Sequence, residues 1–86
     1  MSKVMLVTGA SRGIGAEIAL LAGRCGYRVG VNFLRSQAAA DSVVARIREA
    51  GGEAIALQAD VGELDQVERM FARLDSAFGK LDVLVN

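Results

Sequence analysis

At 86 residues the chain has room for one domain at most, and chains this small bury a lower share of their surface than large ones. It is 52% hydrophobic, lacks proline and tryptophan, and spreads its apolar residues along the whole length, which favours a packed core over disorder. Ten Lys+Arg balance ten Asp+Glu with the signs interspersed, so charge offers no support for a nucleic acid or an anionic membrane as a partner.

Val4 to Val7 is an apolar block with two valines, suited to a strand buried on both faces of a parallel sheet. Gly9, Gly13 and Gly15 follow it, and glycine serves where φ turns positive or a backbone approaches a ligand. From Gly13 onward Ile14, Ile18, Leu21 and Cys25 recur at helical spacing, so the glycines lie between a strand and a helix N-terminus. That position gathers unpaired N–H groups and a partial positive charge, which suits a phosphate. The spacing is G-x-x-x-G-x-G, distinct from the G-x-G-x-x-G of the general dinucleotide fingerprint. With its leading Thr8, the run Thr8-Gly9-Ala10-Ser11-Arg12-Gly13-Ile14-Gly15 resembles the nucleotide-binding turn of the short-chain dehydrogenase/reductase family. A glycine-rich connection kept only for close helix–strand packing is the structural alternative.

Gly26 reads as the residue that ends the first helix, and Tyr27 to Phe33 as the second strand. Ser36 is placed to cap a second helix whose stripe is Ala39, Val43, Ile47 and Ala50, stopped by Gly51-Gly52. Glu53 to Ala59 reads as strand three, with Asp60 at its carboxyl end. In the third helix Leu64, Val67, Phe71, Leu74 and Phe78 share one side with Met70, and Gly79 closes it. Leu81 to Val85 is the fourth strand. This alternation predicts an α/β, doubly wound parallel sheet of Rossmann-like type, partial, βαβαβαβ with strand order 3-2-1-4. The first two helices then cover one face and the third helix the other. Strand four would be an apolar edge, which invites pairing with another chain. The expectation is that residues 1–86 are the N-terminal, cofactor-binding half of a single domain, truncated before its catalytic segment.

Open α/β sheets bind ligands beyond the carboxyl ends of their strands. An NAD site places an acid about 20 residues past the glycines, where this chain has Asn32-Phe33-Leu34-Arg35-Ser36. With no carboxylate to repel a 2′-phosphate, Arg35 beside Ser36, together with Arg12, points to NADP instead of NAD. The resemblance adds that a basic residue just before the second glycine goes with NADP. Arg12 and Arg35 as solvated loop side chains are the alternative, as is an Asn32 amide satisfied by neighbouring backbone instead of the ribose or phosphate.

The resemblance covers the whole chain. It implies that Asp60 and Val61 meet the adenine, although an Asp there also suits a helix cap, and that Asn86 begins an Asn-Asn-Ala-Gly turn lining the cofactor. The implied binding set is therefore Gly9, Ser11, Arg12, Gly13, Ile14, Gly15, Asn32, Arg35, Ser36, Asp60, Val61 and Asn86. It further implies an oxidoreductase that moves a hydride between NADP(H) and a small carbonyl or alcohol substrate, assembled as a dimer or tetramer. The catalytic tyrosine, lysine and serine of the family lie beyond Asn86 and have no match here; Tyr27 sits at the wrong end of its strand. A non-catalytic dinucleotide-binding or regulatory module and an assembly fragment are the competing readings.

The absence of histidine and of clustered carboxylates argues against a catalytic triad or a transition-metal site. Glu63, Asp65 and Glu68 suit a solvated helix start. Cys25 reads as apolar packing near a helix end, no apolar run approaches membrane-spanning length, and Met1-Ser2-Lys3 leads straight into a strand. A cytoplasmic, reducing location is the expectation.

Overall fold

The computed structural model describes residues 2–86; Met1, at the head of the lead-in to the first strand, lies outside the described residues. In chain order the elements are β1 (Val4–Val7), α1 (Gly13–Arg24), β2 (Arg28–Phe33), α2 (Gln37–Glu49), β3 (Glu53–Gln58), α3 (Leu64–Phe78) and β4 (Val83–Val85). The strands form one parallel sheet in the order β3-β2-β1-β4, as the alternation predicts.

Successive side chains on a strand point to opposite faces, and the core divides accordingly. Val7, Val29, Val31, Phe33 and Ala54 pack beneath α1 and α2. Val4, Leu6, Leu57 and Ala59 pack on Met70, Leu74 and Phe78 of α3. The helices thus divide two and one between the faces, as expected, and both faces of β1 are dry, which its unbroken apolar sequence requires.

The interior stripe of α1 differs from the expected one. Ile14 and Leu21 are 80% and 57% exposed and Cys25 is exposed, whereas Ala19, Leu20 and Ala22 are buried. Small residues face inward because α1 lies close to its neighbours: a Cβ on Gly23 would stand 2.8 Å from Cγ2 of Ile47 on α2. In α2 the buried stripe starts one position later, at Ala40, keeps Val43 and Ile47 and adds Val44, while Ala50 is exposed. In α3 Met70, Leu74 and Phe78 are buried, with Phe71 packed against them. Leu64, at its exposed first turn, is not part of that core.

Strand ends differ by a residue or two. Tyr27 and Ala59 fall outside β2 and β3, and Leu81-Asp82 lies outside β4. The Asp82 side chain explains the last difference. Val4 N–H donates to its Oδ2 at 2.8 Å while Asp82 N–H donates to Val4 O at 2.9 Å, so a carboxylate replaces one ladder carbonyl. That hydrogen bond, helped by Lys80 Nζ at 3.2 Å, holds the Asp82 carboxyl below its ordinary value.

Candidate nucleotide-binding site

The turn between β1 and α1 takes its shape from two glycines. Gly9 has φ +59, open to glycine without strain, and Gly15 lies so close beneath it that a Cβ would stand 2.4 Å from Gly9 O. The backbone therefore folds over the start of α1. Arg12 occupies the N-cap position with extended backbone and no capping side-chain hydrogen bond, and the first turn carries no acid. A helix N-terminus without a cap presents unpaired N–H donors and the positive end of its dipole. This is a cradle for an anion, and its chemistry fits a nucleotide phosphate.

Two donors of the turn are already engaged. Gly9 N–H donates to Asn32 Oδ1 at 3.1 Å, and Ala10 N–H donates to the main-chain oxygen of Asn32 at 2.8 Å. Gly9 thus contributes curvature, and the N–H groups nearest the α1 terminus, from Ser11 to Gly15, are those placed for a ligand. Asn32 itself is buried, its Nδ2 lying 3.1 Å from Leu57 O and 3.2 Å from Ala59 O.

Parallel pairing of β1 with β2 sets the segment after Phe33 beside the turn. Arg12 and Arg35 are both exposed, and neither joins an ion pair among the described residues. No acid follows β2. Ser36 caps α2, its Oγ accepting from Ala39 N–H at 3.3 Å, which is the capping role its position predicts.

Beyond β3, Asp60 does not cap α3; Glu63 takes the N-cap position. Instead Asp60 Oδ1 accepts from Gly62 N–H at 2.9 Å, and Asp60 N–H donates to Gln66 Oε1 at 2.8 Å. Gln66, three residues past the Glu63 N-cap, supplies the Gln half of a capping box without its Ser/Thr partner, and reaches further back along the chain. Val61 is 54% exposed beside it. At the end of β4, Thr8 Oγ1 lies 3.1 Å from Asn86 Oδ1 and 3.3 Å from Val85 O, so its one proton serves either. Asn86 is thereby tied to the residue that opens the glycine turn. Tyr27 precedes β2, at the opposite end of the sheet.

Glycine turn, α1 terminus, the loops after β2 and β3, and Asn86 after β4 thus lie together at the carboxyl ends of the strands, the arrangement of a Rossmann-like nucleotide-binding fold. The model of the short chain dehydrogenase family matches residues 3–86, and the chain belongs to that family. It is 49% identical over 86 residues to a 3-oxoacyl-[acyl-carrier-protein] reductase of Staphylococcus aureus, covering 100% of this chain and 35% of that protein. Among solved structures, a dehydrogenase/reductase from Sinorhizobium meliloti 1021 superposes with a TM-score of 0.95 at 38% identity, over 100% of this chain and 34% of that one. A hydroxysteroid dehydrogenase from Escherichia coli gives 0.93 at 36% identity, over 98% and 35%. The chain spans about a third of the length of the relatives it matches. No helix among the described residues is long and apolar enough to cross a membrane.

Proposed function

We propose that residues 1–86 form the N-terminal, NADP(H)-binding half of a single nucleotide-binding domain in a short-chain oxidoreductase. The observation that carries this reading is the uncapped, acid-free start of α1 beneath the Gly9–Gly15 turn, flanked by the unpaired, exposed Arg12 and Arg35. In this reading the Ser11–Gly15 amides hold the pyrophosphate and the two arginines hold the 2′-phosphate. Asp60 Oδ2, which makes no hydrogen bond among the described residues, accepts the adenine amino group, with Val61 alongside. Asn86 lines the nicotinamide side. Bound NADP(H) supplies the hydride chemistry, and the substrate is a carbonyl compound or the matching alcohol. The relatives named as 3-oxoacyl reductases favour a ketone. The complete protein is proposed to assemble as a dimer or tetramer and to work in the cytoplasm.

The test is calorimetric titration of the protein carrying this chain with NADPH and NADH. One charge-assisted hydrogen bond contributes about 1.5–3 kcal/mol, so Arg12→Ala is expected to weaken NADPH roughly ten- to hundredfold while leaving NADH nearly unchanged. Equal losses for both dinucleotides would remove the claim for NADP, and no binding of either would remove the nucleotide reading.

A further inference from the structure

Asn32 is the only buried polar side chain among the described residues, 3% exposed. A carboxamide offers two N–H donors and one oxygen, and here each finds a partner in a different part of the site. Oδ1 takes the Gly9 N–H at 3.1 Å, Nδ2 reaches Leu57 O at 3.1 Å and Ala59 O at 3.2 Å, and Met70 Sδ lies 3.4 Å from the same nitrogen. Both protons are engaged by carbonyls at and just past the end of β3, and no donor is left for a ligand. The main-chain oxygen of the same residue holds Ala10 N–H. One residue therefore turns two amides of the glycine loop inward and also grips the carbonyl immediately before Asp60.

We infer that Asn32 is a positioning residue that locks the phosphate turn and the Ala59–Asp60 segment into mutual register and does not touch the nucleotide. The inference rests on the nucleotide reading above and specifies how that site is held ready. No other side chain of this size does the same. Aspartate keeps the acceptor for Gly9 but loses both donors and sets a charge against two carbonyls; leucine fills the space and satisfies nothing.

The experiment pairs amide hydrogen exchange with NADPH titration in the protein carrying this chain. In Asn32→Leu the Gly9 amide loses protection, whereas the Ala10 amide, bonded to the backbone of residue 32, keeps it. NADPH affinity falls roughly tenfold or more in the folded variant, since the turn and the Ala59 carbonyl lose the side chain that fixes one against the other. In Asn32→Asp the Gly9 amide stays protected while affinity still falls, because the grip on Ala59 is gone. Ile47→Ala is the control: it loosens α1 on α2 away from Asn32 and is expected to lower Tm while keeping NADPH affinity within about twofold. Should Asn32→Leu fail to fold, Asn32→Ala is read by the same two measurements. NADPH affinity equal to the parent's in the folded variant, or Gly9 exchange unchanged, overturns the inference. A parent that binds neither NADPH nor NADH removes the functional reading instead, and the Gly9 exchange still decides the role of Asn32.

Discussion

Gly13 and Gly15 stand two positions apart in the same turn and resist substitution for different reasons. At Gly13 nothing lies within 4 Å of a built Cβ, and only φ +57 opposes a side chain. Gly13→Ala therefore costs about 1–2 kcal/mol of left-handed strain, seen as a modest fall in Tm. At Gly15 the Cβ meets the Gly9 carbonyl oxygen at 2.4 Å, backbone against backbone. Gly15→Ala is expected to push the turn off the α1 terminus and abolish nucleotide binding in a titration, with a smaller effect on folding. Much of this site is legible in sequence because glycine spacing, the missing acid and the two arginines are all local. What sequence does not disclose is the division of labour within it. Whether the Asn32 amide faces a ligand or the backbone depends on β3 and α3 lying beside it, and residues 57, 59 and 70 are distant along the chain. The same holds for Asp60, whose choice between cap and open carboxylate is settled by Gly62 and by where α3 begins.

The row of β2 that faces α3 matches that helix position by position. Arg28 lies with its guanidinium 5.1 Å from the Phe78 ring centroid and Nη2 donating to Phe78 O at 3.3 Å. Gly30 lies under Leu74, whose Cδ1 would stand 3.0 Å from an added Cβ, and Asn32 lies under Met70. A cation, a gap and an amide thus receive helix residues spaced four apart. Gly30→Ala overfills the gap against Leu6, Leu57 and Leu74 at once and is expected to cost about 1–3 kcal/mol in thermal unfolding. At the β1–β4 junction the folded Asp82 carboxyl titrates below its unfolded value of 3.8. Its contribution is thus complete above that value and is lost as pH falls through the lower folded pKa. Asp82→Asn should remove this part of the acid sensitivity, measured as Tm against pH from neutrality downward. Element order, both ends of α2 and the C-terminal ends of α1 and α3 are readable from glycines, caps and periodicity. The inward face of α1 is not, since periodicity weights large apolar residues and the close approach of α2 selects alanine and glycine.

Among the described residues seven large apolar side chains are exposed, and apart from Leu34, Val61 and Leu64, which follow β2 and β3, they lie at two places. Ile14 and Leu21 lie on the outer side of α1, Leu81 and Leu84 at β4, and β4 is an edge of the sheet. As an isolated polypeptide in dilute buffer this segment is expected to self-associate, because an apolar edge strand templates pairing. Leu84→Lys should shift sedimentation toward the monomer, and unchanged sedimentation would place the contact elsewhere. The buried side chains that hold the sheet, Asn32 among them, are separate from the exposed arginines at positions 12 and 35. Charge at those two positions can be reversed without displacing a core atom. In the proposed reading, retargeting the protein from one nicotinamide coenzyme to the other is therefore a problem of repainting its rim, and the architecture beneath can be left as it stands.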